Sequence, residues 1–161
     1  MRQFKTQQGF TLVELMMVLV MVGILASYAV LRTNDANNTL VQAYADRFAQ
    51  HIKHVQMLAM TWGQGLTLTV AGSSYQVSCT TATSSPPCNS SPVIDPVSGQ
   101  AFSVSMADGV TLIDSGNIIF DALGRPLQSG SLSSSASQWR VGNASTQVSV
   151  RVDPITGRVS Q

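Results

Sequence analysis

The sequence predicts an α+β fold in which a long N-terminal helix, half membrane-spanning and half amphipathic, packs on an antiparallel β-sheet. Three features predict it. An unbroken apolar run extends from Phe10 to Leu31, an apolar stripe at helical spacing continues from Leu40 to Trp62, and short alternating segments begin at Leu66. The 161 residues suit one globular domain with such a segment attached. The expected organisation is a leader over residues 1–9, a membrane helix over 10–31, an amphipathic helix over 32–63 and a β-rich domain over 64–161.

The first nine residues are polar and carry Arg2 and Lys5, as the start of an exported protein should. The 22 residues from Phe10 to Leu31 contain one charge, Glu14. A helix of that length rises about 33 Å, enough for the ~30 Å hydrocarbon core of a bilayer. Between Leu15 and Leu25 every helical face is apolar or glycine, which a small soluble interior cannot surround. The expectation is therefore a single-pass inner-membrane protein, its N-terminus in the cytoplasm and its C-terminal domain in the periplasm.

The stretch Arg32 to Thr39 is polar and Asn-rich, a weak place for a helix. Leu40, Tyr44, Phe48, Ile52, Val55, Ala59 and Trp62 then form one stripe, and Gly63 and Gly65 end it. A helix with such a stripe must bury it, and the β-patterned remainder of the chain is the material available. Leu66 to Val70 and Tyr75 to Cys79 alternate about the turn Gly72-Ser73-Ser74, which reads as a hairpin. Thr80 to Pro96 reads as an irregular excursion. Further strands are expected at 101–105, 110–114, 117–120, 138–141, 146–152 and 158–160, with a flexible loop from Gln128 to Ser137.

Nine basic and eight acidic side chains give a net charge of +1. Without the leader the balance is seven against eight, which points to no polyanion partner. Two cysteines, Cys79 and Cys88, would close a small loop as a disulfide if exported, and two soft ligands alone make a poor metal site. His51 and His54 lack a third ligand in sequence and read as helix surface or packing. Trp62 and Trp139 read as fillers between helix and sheet. Phe120 to Pro126 describes a strand entering a tight turn capped by Asp121, with Arg125 available to a neighbouring subunit. No nucleophile elbow, phosphate loop or dinucleotide fingerprint occurs, so no catalytic residue, metal or cofactor is expected.

Glu14 is the residue that calls for a partner. A carboxylate near mid-bilayer costs about 2.5–3.5 kcal/mol on insertion scales. Cleavage between Gly9 and Phe10 would create an α-amine one helical turn away, and that amine could pair with it. Snorkelling toward headgroups, or a conventional signal peptide cut after Ala29, are the plainer alternatives.

The segment Gly9-Phe10-Thr11-Leu12-Val13-Glu14-Leu15, with its basic leader and apolar helix, resembles the prepilin peptidase motif of type IV pilins and type II secretion pseudopilins. The resemblance implies a type IV pilin-like fold, cleavage after Gly9, N-methylation of Phe10, and pairing of Glu14 with the Phe10 amine of a neighbour in a filament core. His54 to Met60, Ile119 to Pro126 and Ile155 to Val159 resemble GspH/FimT-like minor pseudopilins, and the Cys79/Cys88 layout is similar to MshC-type minor pilins of the MSHA pilus. One departure from many pilins is the lack of proline between Phe10 and Pro86.

The partners so implied are the prepilin peptidase, major and minor pilins, an inner-membrane pilus or secretion assembly platform, and membrane lipid before assembly. The implied function is a minor pilin that primes or stabilises a pilus and becomes extracellular with it; a secretion pseudopilin is the close rival. Likeness to FimT-like DNA-uptake proteins raises Arg125, Arg140, Arg151 and Arg158 as subunit or phosphate contacts. Their scatter in sequence and the near-neutral charge argue against DNA.

Overall fold

The computed structural model describes residues 11–161, with the side chains of residues 28–37 outside the description. The described residues fall into two units, 11–37 and 38–161. One helix, α1 (Leu12–Trp62), contributes to both.

In the first unit α1 begins with a capping arrangement. The Glu14 N–H donates to Thr11 Oγ1 at 3.3 Å, which satisfies one amide that the first turn leaves open, and the Leu15 N–H donates to the Thr11 carbonyl at 3.2 Å as the first bond of the helical ladder. From Leu12 to Leu25 the large apolar side chains are all more than half exposed. The expected transmembrane half must be corrected: among the described residues no helix is long and apolar enough to cross a membrane. The single-pass inner-membrane topology inferred from that helix is overturned with it.

In the second unit α1 buries Val41, Ala45, Phe48, Ala49, Ile52, Val55, Leu58 and Ala59, a stripe at steps of three and four. Its centre matches the expected stripe, but Leu40 is exposed and Tyr44 and Trp62 are only partly buried; the turn of the helix brings Val41 and Ala45 to the core instead. Gly63, at φ +62°, ends the helix, with the Gln64 N–H donating to the Ala59 carbonyl at 3.2 Å.

Two antiparallel sheets form where one was expected. The larger comprises β1 (Leu66–Ala71), β2 (Ser74–Cys79), β3 (Ser103–Ser105), β5 (Gly116–Phe120), β6 (Pro126–Gln128) and β7 (Ser131–Leu132), in the order β3-β2-β1-β5-β6-β7. The smaller has the order β10-β9-β8-β4, from β4 (Thr111–Leu112), β8 (Ser137–Gly142), β9 (Gln147–Val152) and β10 (Val159–Ser160). Register pairs Leu68 with both Val77 and Ile118, and Trp139 with Val150. All five side chains are buried, as period-2 alternation requires of a face turned to the core. Phe48 joins helix to both sheets, edge-on to Tyr75 at 5.0 Å and to Trp139 at 6.0 Å. Burying each such large side chain is worth about 1.5–3 kcal/mol. β4 also touches the larger sheet, since the Leu112 N–H donates to the Gly72 carbonyl at 3.0 Å in the β1–β2 turn. The segment 128–137, read as a flexible loop, instead contains the end of β6, all of β7 and the start of β8.

Candidate functional site

Gly9 and Phe10 lie outside the described residues. Glu14 is exposed in the first turn of α1, among exposed apolar side chains, where the helix dipole favours an acid. The Thr11-x-x-Glu14 spacing is the sequence signature of a capping box, a signal that hydrophobic patterning alone passes over.

Cys79, at the end of β2, and Cys88 are joined as a disulfide with Cα atoms 5.5 Å apart. Cys88 is buried, and the Thr83 N–H donates to its carbonyl at 2.9 Å. The bridge therefore anchors the excursion to the end of the hairpin.

Two of the four arginines are held in ion pairs, Arg125 with Asp121 and Arg140 with Asp114. Asp121 accepts from the Leu123 and Arg125 amides at 2.9 and 2.8 Å and from Arg125 Nε at 2.8 Å. Burial opposes the Asp121 carboxylate, but these bonds outweigh it and hold its pKa below the usual value. Arg140 grips Asp114 as a fork, Nε to Oδ2 at 2.9 Å and a terminal nitrogen to Oδ1 at 2.7 Å. Those bonds, led by the side-chain contact, hold Asp114 low and push Arg140 up. Arg151 and Arg158 are exposed and share a surface cleft with Asp153, Thr156 and Ser160.

Two residues to which sequence pattern assigns no role tie the helix to its surroundings. Gln56 Nε2 donates to the Gly124 carbonyl at 2.8 Å and the Thr156 carbonyl at 3.3 Å. Asp95 accepts from the Val97 and Ser98 amides at 3.1 and 3.2 Å and meets His54 Nε2 at 3.0 Å. Burial alone would raise the Asp95 pKa; His54 and the two amides override it and hold it at about 2. His51 Nδ1 bonds the Tyr75 hydroxyl at 2.7 Å. Burial lowers the His51 pKa, Arg47 and His54 add to that, and Asp95 opposes it, while desolvation pushes the Tyr75 hydroxyl up. Both histidines thus have packing roles. They also line a cleft of about 480 Å³ beside β3.

Among the described residues no group of three or more His, Cys, Asp and Glu could hold a metal ion. Neither a curated protein nor a solved structure matches the chain. The family model described as Prokaryotic N-terminal methylation motif matches residues 4–30. The chain therefore carries the N-terminal methylation motif characteristic of type IV pilin-like proteins.

Proposed function

We propose that the chain is a minor pilin, a low-abundance subunit that primes or stabilises a type IV pilus-like filament of the MSHA kind. The observation that carries this reading is the first unit's helix, whose large apolar side chains from Leu12 to Leu25 are exposed around a lone carboxylate, Glu14. Apolar surface on every side of a helix is stable only when surrounded, and equivalent helices of neighbouring pilins would surround it. In this reading a prepilin peptidase cuts between Gly9 and Phe10 and methylates Phe10. Glu14 then neutralises the new amine of a neighbour as the helices come together. A secretion pseudopilin would use the same packing, and the filament from which the chain is recovered separates the two.

The test is site-specific crosslinking from Leu15 to partner pilins, comparing wild type with Glu14→Ala at equal abundance. An unpaired amine is costly inside an apolar bundle, so the variant should be processed yet crosslink much less. Unchanged crosslinking together with unchanged filament number would overturn the role of Glu14. Mass spectrometry of the mature N-terminus should find methylated Phe10; a chain beginning at Val30 would replace the processing step.

A further inference from the structure

We propose that the cleft between α1 and the free edge of β3 is a docking groove for an extended, acidic peptide segment of a partner protein. The cleft, about 480 Å³, has Arg47, Gln50, His51 and His54 on its helical side and Phe102 and Ser103 on the other. The six-stranded sheet stops at β3. The Val77 N–H donates to the Phe102 carbonyl and the Met106 N–H to the Ser73 carbonyl, which fixes the phase of the β2–β3 ladder. Alternation along the strand then turns the Ser103 carbonyl and both backbone groups of Ser105 away from β2. The Ser103 N–H is folded back on the Ala101 carbonyl at 2.7 Å, leaving the rest of the edge open to another strand.

Charge selects the occupant. Arg47, His51 and His54 recur at steps of four and three, so they lie along one face of α1. Arg47 is exposed and takes part in no ion pair or hydrogen bond among the described residues. The acid facing this cleft, Asp95, is already saturated by His54 and by the Val97 and Ser98 amides. The groove therefore offers a guanidinium outside any ion pair, beside β3 backbone groups turned away from β2, with the ionised Asp95 held at the His54 end of the cleft. A strand with a carboxylate side chain satisfies both, since guanidinium and carboxylate pair bidentately. A single free cation is far too little for a nucleic acid, whose binding rests on many phosphate contacts.

The full chain in mild detergent would be titrated into the labelled pentapeptide Thr-Glu-Val-Glu-Thr and monitored by fluorescence anisotropy at low salt. Saturable binding is expected, weakened about tenfold when both glutamates become Gln and about tenfold in the Arg47→Gln protein, the scale of one lost charge-assisted bond. A backbone N-methylated peptide should lose binding comparably, because it cannot pair with the edge. The exposed Arg47 makes Arg47→Gln neutral for folding, which an unchanged thermal melt verifies. The proposal is overturned by no saturable binding up to millimolar peptide, or by equal affinity of Arg47→Gln. It is also overturned if the N-methylated peptide binds equally, or if free glutamate competes as well as the peptide, which would mark a small-anion site.

Discussion

Asp95 and Asp153 occupy the same corner of two copies of one turn. Asp95-Pro96-Val97-Ser98-Gly99 and Asp153-Pro154-Ile155-Thr156-Gly157 each place the aspartate carboxylate on the amides two and three residues ahead. In each the glycine amide returns to the aspartate carbonyl, at 2.8 and 3.0 Å. The glycines sit at φ +68° and +67°, conformations glycine adopts without a Cβ penalty. Asp121 to Arg125 closes a version one residue shorter, with Gly124 at φ +74°.

His54 distinguishes the Asp95 copy and sets its pH response. The folded Asp95 pKa, about 2, lies below its ordinary 3.8. Its stabilising contribution is therefore complete above about pH 4 and disappears as pH falls through about 2. After allowance for solvent screening the contribution is about 1–2 kcal/mol. Urea unfolding at pH 5 and pH 2 should show Asp95→Asn losing less stability on acidification than wild type by about that amount. Equal slopes would show the carboxylate to be unlinked to folding.

Gln56 fastens two of these turns to the helix with one amide nitrogen. Gln56→Ala should cost about 1 kcal/mol, one net hydrogen bond. Gln56→Glu should cost more, because a carboxylate facing the Gly124 and Thr156 carbonyls accepts where a donor is needed. Chemical denaturation midpoints of the two variants give the order directly.

Gly124 combines a left-handed backbone with close approach: a Cβ would lie 2.8 Å from Met60 Sδ. Met60 is about half exposed and its long side chain can swing aside, so the backbone term dominates. Gly124→Ala should destabilise by about 1–2 kcal/mol. The same cost should persist in a Met60→Ala background, with a coupling in the double-mutant cycle below about 0.5 kcal/mol. Full rescue by Met60→Ala would instead assign the cost to crowding.

Cys79 and Cys88 are nine residues apart in sequence, and closing a loop of that size removes unfolded-state entropy worth about 2–3 kcal/mol. The denatured chain should accept no thiol label until reductant is added. Cys79→Ser/Cys88→Ser should unfold at lower denaturant by a corresponding margin while keeping the sheet. Complete labelling without reductant would remove the bridge from the account.

Much of this fold is legible locally. Leu66, Leu68 and Val70 announce a half-buried strand, and Gly63 announces the end of α1, because burial and backbone freedom act over a few residues. The division into two sheets is not legible, since β4 is only Thr111–Leu112 and its pairing with β8 rests on contacts distant in sequence. β7 is hidden by its exposed serine-rich composition, which pairs through backbone alone. At the candidate sites, Arg140 looked free because its partner Asp114 lies on another part of the chain. The Asp-Pro-x-Ser/Thr-Gly pattern occurs twice in the sequence, but the capping role of Asp95 and Asp153 shows only in the structure.

The placement of β4 has a kinetic consequence. The chain leaves the larger sheet after β3, lays down β4, returns for β5 to β7, and only then supplies β8, the strand that β4 pairs with. Closing the smaller sheet joins residues some thirty apart, Thr111 and Leu112 with Gly142 and Val141, while the Gly72 carbonyl holds Leu112. Such nonlocal closure slows the search for the native state. It also couples both sheets into one cooperative unit, so that stripping β8 and β9 from β4 would release the Gly72 turn as well.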